Sequence, residues 1–242
     1  MITFNDVTFR YPYDDFDVLK GASFTLHEGV NTLLCDVQSG KTTVCRLLMG
    51  MLVPLSGQVS VPRREILYLP RSPVFFENKS VRYNLEYPLR ARKKLAGNEQ
   101  IVAKNADVFG FSDQMNVKVK KLSAEQKRML ALARGLTVPR GIVLLDGFFD
   151  GDGFPTKEEG ATVAQQQKVL SLFSGCEVTV VLTCEAHRAT GHSVVLDGGS
   201  CVYEGESSQA TALAEERFIL AKGDNSVKRF FRRGIRQGNG AA

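Results

Sequence analysis

Leu33-Leu34-Cys35-Asp36-Val37-Gln38-Ser39-Gly40-Lys41-Thr42-Thr43 follows an apolar run and precedes a segment with helical spacing. A strand that feeds a tight turn and then a helix points several backbone N–H groups into one small concavity, where the positive helix end adds to the field. The stretch therefore has the outline of a phosphate-binding loop, with Lys41 placed to reach the outer phosphates and the Thr42 hydroxyl placed to ligate Mg²⁺. The strict pattern G-x-x-x-x-G-K-[ST] fails at one position, because Cys35 stands where its first glycine belongs. Cysteine lacks glycine's freedom to adopt positive φ or to bring the backbone against a phosphate. A bare Ser-Gly-Lys-Thr can also be an ordinary surface turn before a helix, so the loop alone does not decide the fold.

Outward from that loop, the bulk properties bound the answer. A chain of 242 residues can bury one substantial core, or a core with a small helical lobe. Hydrophobic content of 43% with 24% charge describes a folded protein rather than a disordered one. The five cysteines (35, 45, 176, 184 and 201) lie in apolar runs without the paired spacing of a zinc site or a disulfide framework. They read as small buried hydrophobes in a reducing compartment. No run approaches the length of a membrane span, and the first residues are strand-like with no signal-peptide core, which argues against secretion. A net charge of +5 permits contact with acidic lipid, nucleic acid or an acidic partner and compels none of them.

Residues 2–4, 7–11 and 22–26 alternate like antiparallel strands, and a turn at 27–29 leads into the apolar run before the loop. A helix is expected over 43–52 with Val44, Leu47, Leu48 and Met51 on one face. Strands follow at 58–61 and 66–69. Residues 78–121 are more basic and helical in pattern, with charge clusters at 90–94 and 118–121 that are either solvated faces or partner contacts. Beyond them come a helix at 123–137, a strand at 141–146, a helix around 160–173 and a strand at 177–182. A last strand pair, 193–196 and 200–203, flanks Asp197-Gly198-Gly199. Helices alternating with short, fully apolar strands imply an α/β fold whose mostly parallel sheet is covered on both faces. A basic segment at 225–236 contains Phe230 and Phe231, suited to a solvated tail, an acidic surface or a lipid headgroup layer.

In this order, the segments resemble the nucleotide-binding domain of ABC-type ATPases from Ile2 to about Gly205. Six anchors carry the resemblance. Tyr11 sits where the family places an aromatic that stacks on adenine, and Val18-Leu19-Lys20-Gly21 with Phe24 matches the early strand. The phosphate loop is the third anchor. Leu122-Ser123-Ala124-Glu125-Gln126-Lys127-Arg128 is similar to the signature motif and its helix. Ile142 to Asp146 is similar to the second nucleotide motif, and Val194 to Gly199 with Glu204-Gly205 to the closing hairpin.

The resemblance implies a P-loop NTPase of ABC type, with a mostly parallel sheet flanked by helices, an N-terminal antiparallel β portion and a helical lobe. The domain would run over 1–220 with the lobe at about 78–135, leaving 221–242 as a basic tail. ATP would be held by Tyr11, Gln38, Ser39, Gly40, Lys41, Thr42, Thr43 and Ser123, the last facing a nucleotide on the paired domain. Mg²⁺ would be held by Thr42 and Asp146. The family pairs two such domains head to tail and docks them on membrane subunits. It follows that the partners are a second nucleotide-binding domain, a heteromeric one, and separate transmembrane subunits. The chain would then lie peripherally on the cytoplasmic or organelle-matrix side of a membrane. A docking face is expected around 72–85, with Phe75, Phe76 and Tyr83. Nucleic acid is not favoured, since relatives that act on ribosomes or DNA carry two such domains or a long coiled-coil insertion.

The departures from the family pattern fall on its hydrolytic parts. Gly147 replaces the carboxylate that polarises the attacking water, and glycine has nothing with which to accept a proton. Arg71 stands where a γ-phosphate-sensing glutamine is expected, and arginine neither acts as base nor ligates Mg²⁺. Glu185 occupies the switch-histidine position, with His187 two residues later. Ala124-Glu125 replaces two signature glycines, which sets a carboxylate near the partner's phosphate. Phe148 to Gly153 lacks the small residues that pair across the dimer. No catalytic residue is assigned. The resemblance implies an ATP-binding subunit of an ABC-type complex, transport-related, with weak or no hydrolysis, acting by nucleotide-stabilised dimerisation. The alternative is a nucleotide-free pseudo-ATPase serving as a structural subunit.

Overall fold

The computed structural model describes residues 1–35, 40–150 and 159–223, without the side chains of 159–162 and 219–223. Gln38 and Ser39 lie outside the described residues, as does the basic tail from residue 224 onward. Among the described residues, nine strands form two sheets. β1 (Ile2–Phe9), β2 (Leu19–Leu26) and β4 (Ser56–Ser60) make an antiparallel sheet in the order β2-β1-β4. β3 (Gly29–Cys35), β5 (Ile66–Pro70), β6 (Ile142–Asp146), β7 (Thr179–Thr183), β8 (His192–Asp197) and β9 (Ser200–Glu206) make the main sheet. Its order is β5-β6-β7-β3-β8-β9, parallel except for the closing β8–β9 hairpin. The α/β architecture with an antiparallel N-terminal portion is thus the observed one.

β1 is one strand where two were expected. A register shift between Phe4 and Val7, with Asp6 in the left-handed region at φ 50°, bulges the strand without ending its pairing to β2. Aspartate tolerates that conformation better than most residues. The central strands are buried on both faces, which is why β3, β6 and β7 read as continuous apolar runs rather than alternating ones.

Helix α1 (Lys41–Leu48) lies between the two sheets and buries Val44, Cys45, Leu47 and Leu48 against strands of both. It stops four residues short of the expected end. The chain turns out at Met49 and Gly50, leaving Met51 at 68% exposure rather than on the buried face. On the other side of the main sheet, α5 (Glu159–Ser171) and α6 (Ser207–Gly223) cover β7 and β8 through Val169, Leu170, Ala210 and Ala214. α6 was not foreseen, and it continues past residue 220.

A third apolar cluster belongs to α2 (Val81–Ala91), α3 (Glu99–Val108) and α4 (Ala124–Gly135). Ser80 caps α2 by accepting from the Tyr83 N–H, and fully buried Asn84 exchanges two hydrogen bonds with the Phe76 backbone. Those bonds hold the segment before α2 against the helix. α4 begins and ends within two residues of the helix expected at 123–137, and α2 and α3 lie in the segment 78–121 whose pattern is helical. Among the described residues, no helix is long and apolar enough to cross a membrane.

Candidate functional site

The C-terminal ends of β3, β6 and β7 converge on the first turn of α1. Gly40, at φ 106°, gives that helix no side-chain cap, and no acidic residue lies in its first turn. Its leading N–H groups and positive end are therefore open to an anion. Lys41 Nζ donates to the Cys35 carbonyl at 3.0 Å, spanning the loop. Thr42 Oγ1 donates to Asp146 Oδ2 at 2.9 Å, although 104 residues separate them in sequence. The two residues assigned to Mg²⁺ are thus brought together.

The Asp146 carboxylate also accepts from the Tyr68 hydroxyl at 3.0 Å on Oδ2 and from Thr183 Oγ1 at 3.1 Å on Oδ1. Burial, then the neighbouring Asp146 charge, push the Tyr68 phenol above its ordinary value, which keeps it a donor. Thr183 accepts from the Gly147 N–H at 2.7 Å. Tyr68 and Thr183 were missed from sequence. The available signal was their position: Thr183 is the last residue of an apolar strand and pairs in register with Asp146.

Tyr11 reaches the same helix. Its hydroxyl lies 3.1 Å from Thr43 Oγ1 and accepts from Arg46 at 3.2 Å, while its ring meets Phe9 edge-on at 5.0 Å. Thr43 is only 4% exposed. Its hydroxyl is engaged with Tyr11. Beside them the Cys45 thiol, held well above its ordinary pKa by burial, is an uncharged packing group.

Past Asp146 the chemistry changes. Gly147 adopts φ 60°, and a Cβ built there would stand 3.6 Å from Arg71 Cβ and 3.8 Å from Asp150 Oδ2. There is room for a side chain, but the backbone sits where L-residues are strained. Phe148 and Phe149 turn inward and are 0% and 1% exposed, their rings edge-on at 5.1 Å. Two arginines hold the carbonyls of this turn. Arg128 of α4, itself buried, donates to Phe148 O at 2.9 Å and Asp150 O at 3.0 Å. Arg188 donates to Phe149 O at 2.8 Å.

Arg188, also unforeseen, is a hub. It pairs with Glu185 at 3.2 Å and donates through Nε to His187 at 3.2 Å. Its Nη1 lies 3.1 Å from Asp150 Oδ1, an ion pair without hydrogen-bond alignment, since that buried oxygen has no hydrogen-bond partner. Burial pushes the Asp150 carboxyl above its ordinary value, against the pull of Arg188. Glu185 and His187 sit on one short turn at the surface, both tied to Arg188.

Ser123 caps α4: its hydroxyl accepts from the Gln126 N–H at 3.1 Å and the Gln126 side chain returns the bond to the Ser123 N–H at 2.9 Å. Ser123 is exposed. Glu125 bonds Gln165 of α5, which turns its carboxylate along the protein surface. Between Arg71–Pro73 and the start of α4 lies a cleft of about 310 Å³, bridged by a 3.1 Å ion pair between Lys127 and Glu77.

Comparison with known proteins agrees with this geometry. The family described as ABC transporter matches residues 19–149. The cytochrome c biogenesis ATP-binding export protein CcmA of Roseobacter denitrificans is 32% identical over 180 residues, covering 74% of this chain and 75% of its own. Human antigen peptide transporter 2 is 32% identical over 166 residues, or 60% of this chain. The match takes in only 24% of that transporter, so the chain spans about a quarter of the length of such relatives. A solved nucleotide-free ATP-binding cassette from an ABC transporter superposes with a TM-score of 0.69 at 17% identity, over 90% of this chain and 96% of its own. That likeness speaks to the fold.

Proposed function

The chain belongs to the ABC transporter family of ATP-binding proteins, and from that premise we propose that it is a transport-related ATP-binding subunit with weak or no hydrolysis of its own. The observation that carries the reading is the contrast at the end of β6. Thr42 and Asp146 meet at 2.9 Å beside an uncapped helix start, while the next residue is a glycine at φ 60°. The Lys41, Thr42 and Thr43 N–H groups and the Lys41 ammonium would bind the phosphates, joined by Gln38 and Ser39, and the Tyr11 ring would orient the base. Thr42 and Asp146 would hold Mg²⁺. When bound, Mg²⁺ neutralises phosphate charge and fixes the phosphate tail.

Hydrolysis would be slow because no carboxylate occupies the position after Asp146 and Asp150 beside it is paired with Arg188. ATP on this surface would favour a closed pair with a second nucleotide-binding domain, through contacts that exist only in that state. A heteromeric partner suits the chain best, because a homodimer would repeat the Gly147 and Glu125 departures in both sites. One nucleotide-binding unit over 1–220, a helical lobe at about 78–135 and a basic tail at 221–242 is the proposed organisation. Phe76 and Tyr87, at 39% and 41% exposure and with ring centroids 4.7 Å apart, form an exposed apolar pair next in sequence to the cleft-lining Phe75. It suits docking on a separate transmembrane subunit at the cytoplasmic or organelle-matrix face of a membrane.

One observation favours the nucleotide-free alternative. Lys41 donates to the Cys35 carbonyl and Thr42 to Asp146, so these polar groups find partners within the chain itself. Calorimetry of Mg²⁺-ATP binding, with Lys41→Ala and a turnover assay alongside, separates the two. Binding lost in Lys41→Ala with negligible turnover is the expected result. No binding at millimolar ATP, with or without a partner, would leave the structural subunit.

A further inference from the structure

Two of the three histidines lie far from the nucleotide site, at the other end of β3. His27 follows β2, His192 opens β8 and Glu204 lies in β9. Their ligand-type atoms all fall within 4.8 Å of one another. His192 Nε2 is 3.2 Å from Glu204 Oε1, and His27 Nε2 is 4.0 Å from the same oxygen. The two imidazoles meet edge-on at 4.6 Å.

The second distance is the informative one. At 4.0 Å the His27 nitrogen is too far for a hydrogen bond to Glu204, so an ion pair between His192 and Glu204 does not account for its placement. Two ligands of one tetrahedral cation, each about 2.1 Å from it, stand roughly 3.4 Å apart. Separations of 3.2 and 4.0 Å bracket that edge. Neutral imidazole nitrogens with one carboxylate oxygen form the donor set of a borderline divalent ion rather than of Mg²⁺ or Ca²⁺.

The scaffold under these side chains is rigid. Fully buried Asn31 accepts from the His27 N–H at 2.8 Å and donates to the His27 carbonyl at 2.8 Å. Asn31 is also the β3 residue in register with His192. Just before His192, Gly191 sits so close to β3 that a Cβ would meet the Val30 carbonyl oxygen at 2.1 Å, and the Thr32 hydroxyl donates to Thr190 O at 2.6 Å. Both carboxylate oxygens of Glu204 accept from the Thr25 N–H at 3.2 Å, which aims the group across from β9 to β2.

We infer that His27, His192 and Glu204 form a binding site for one borderline divalent cation of the Zn²⁺ type, with a fourth position open to water. Because His27 lies in the turn that joins β2 to β3 while His192 and Glu204 belong to β8 and β9, the ion pins the link between the two sheets to the closing hairpin of the main one. The site lies a strand's length, about 20 Å, from the phosphate loop and is independent of nucleotide.

The test uses the full chain, reduced and free of nucleotide and chelator. Zn²⁺ is titrated by calorimetry with Mg²⁺ as the contrast, and Co²⁺ is followed by its visible absorption. One Zn²⁺ per chain is expected, with a melting temperature that rises on binding. Co²⁺ should give a tetrahedral spectrum without a thiolate charge-transfer band, and Mg²⁺ should give no response. His192→Ala and Glu204→Gln should each weaken binding by about tenfold or more. Glu204→Gln keeps one oxygen for the Thr25 N–H, so it guards against a folding artefact in the histidine variant. The absence of saturable Zn²⁺ binding, binding unchanged in both variants, or a thiolate band that moves the ion to the cysteines would each overturn the site.

Discussion

Asp146 and Gly147 share a peptide bond and differ in almost everything around them. The Asp146 carboxylate takes hydroxyl donors from three elements: Thr42 of α1, Tyr68 of β5 and Thr183 of β7. The turn that begins at Gly147 is held instead through its carbonyls, by Arg128 and Arg188, and buries two phenylalanines. One half is arranged around a carboxylate held by hydroxyls. The other half is arranged as structure, with charge spent on holding backbone. The comparison teaches that the residue after Asp146 is more than a missing side chain, because the backbone and its clamps are built around its absence.

Removing a clamp should have the largest effect. Arg128→Ala strands the Phe148 and Asp150 carbonyls in a buried turn and should cost about 3 kcal/mol in urea unfolding. On the functional half, Asp146→Asn keeps the shape and removes the charge. Mg²⁺-dependent ATP affinity should fall by about tenfold to a hundredfold, measured by calorimetry with and without Mg²⁺. Gly147→Glu asks whether the two halves are interchangeable. At φ 60° the substitution should cost about 1–2 kcal/mol of stability and leave turnover at the parent level. A large gain in turnover would break the contrast.

A subtler effect comes from Asp150. Burial raises its folded pKa above the unfolded one, so the native state holds the proton longer as pH rises from about 4. Its contribution to stability is therefore present at acid pH and lost as pH climbs through the raised value. Asp150→Asn should remove that acid-side slope from a pH series of unfolding curves. The smallest change is expected from Glu125→Gln, whose exposed side chain bonds Gln165. It should shift stability by less than about 0.5 kcal/mol.

The helix that starts at Lys41, the strand ending at Asp146 and the alternation of strands were legible because their signals are local: a spacing, a run, a period. Tyr68 and Thr183 were not, because their roles arise from the register of β5 and β7 against β6, and Arg188 was not, because its partners at 149 and 150 are brought to it by the fold from about forty residues away, which no window of sequence contains. α6 escaped notice for a different reason. Its fully buried residues among those described are Ala210 and Ala214, with Phe218 packed partly buried against the same cluster, and the alanines are too weakly apolar to stand out from neighbours such as Ala212 and Leu213. The bulge at Asp6 was read as a break, since an interruption of alternation looks the same whether pairing stops or resumes one residue later.

The strand order also dictates a sequence of events in time. β3 is made first among the main-sheet strands, yet both of its neighbours, β7 and β8, come from the last third of the chain. During synthesis, an apolar central strand must wait unpaired until residues 179–197 have emerged. Such long-range closure is slow and leaves sticky edges in the meantime. A nascent chain stopped before β7 would carry its phosphate loop on a strand with no sheet to join. The early-made strand thus depends on the late-made ones for its shape, and the sheet around β3 cannot close before residues 179–197 have been made.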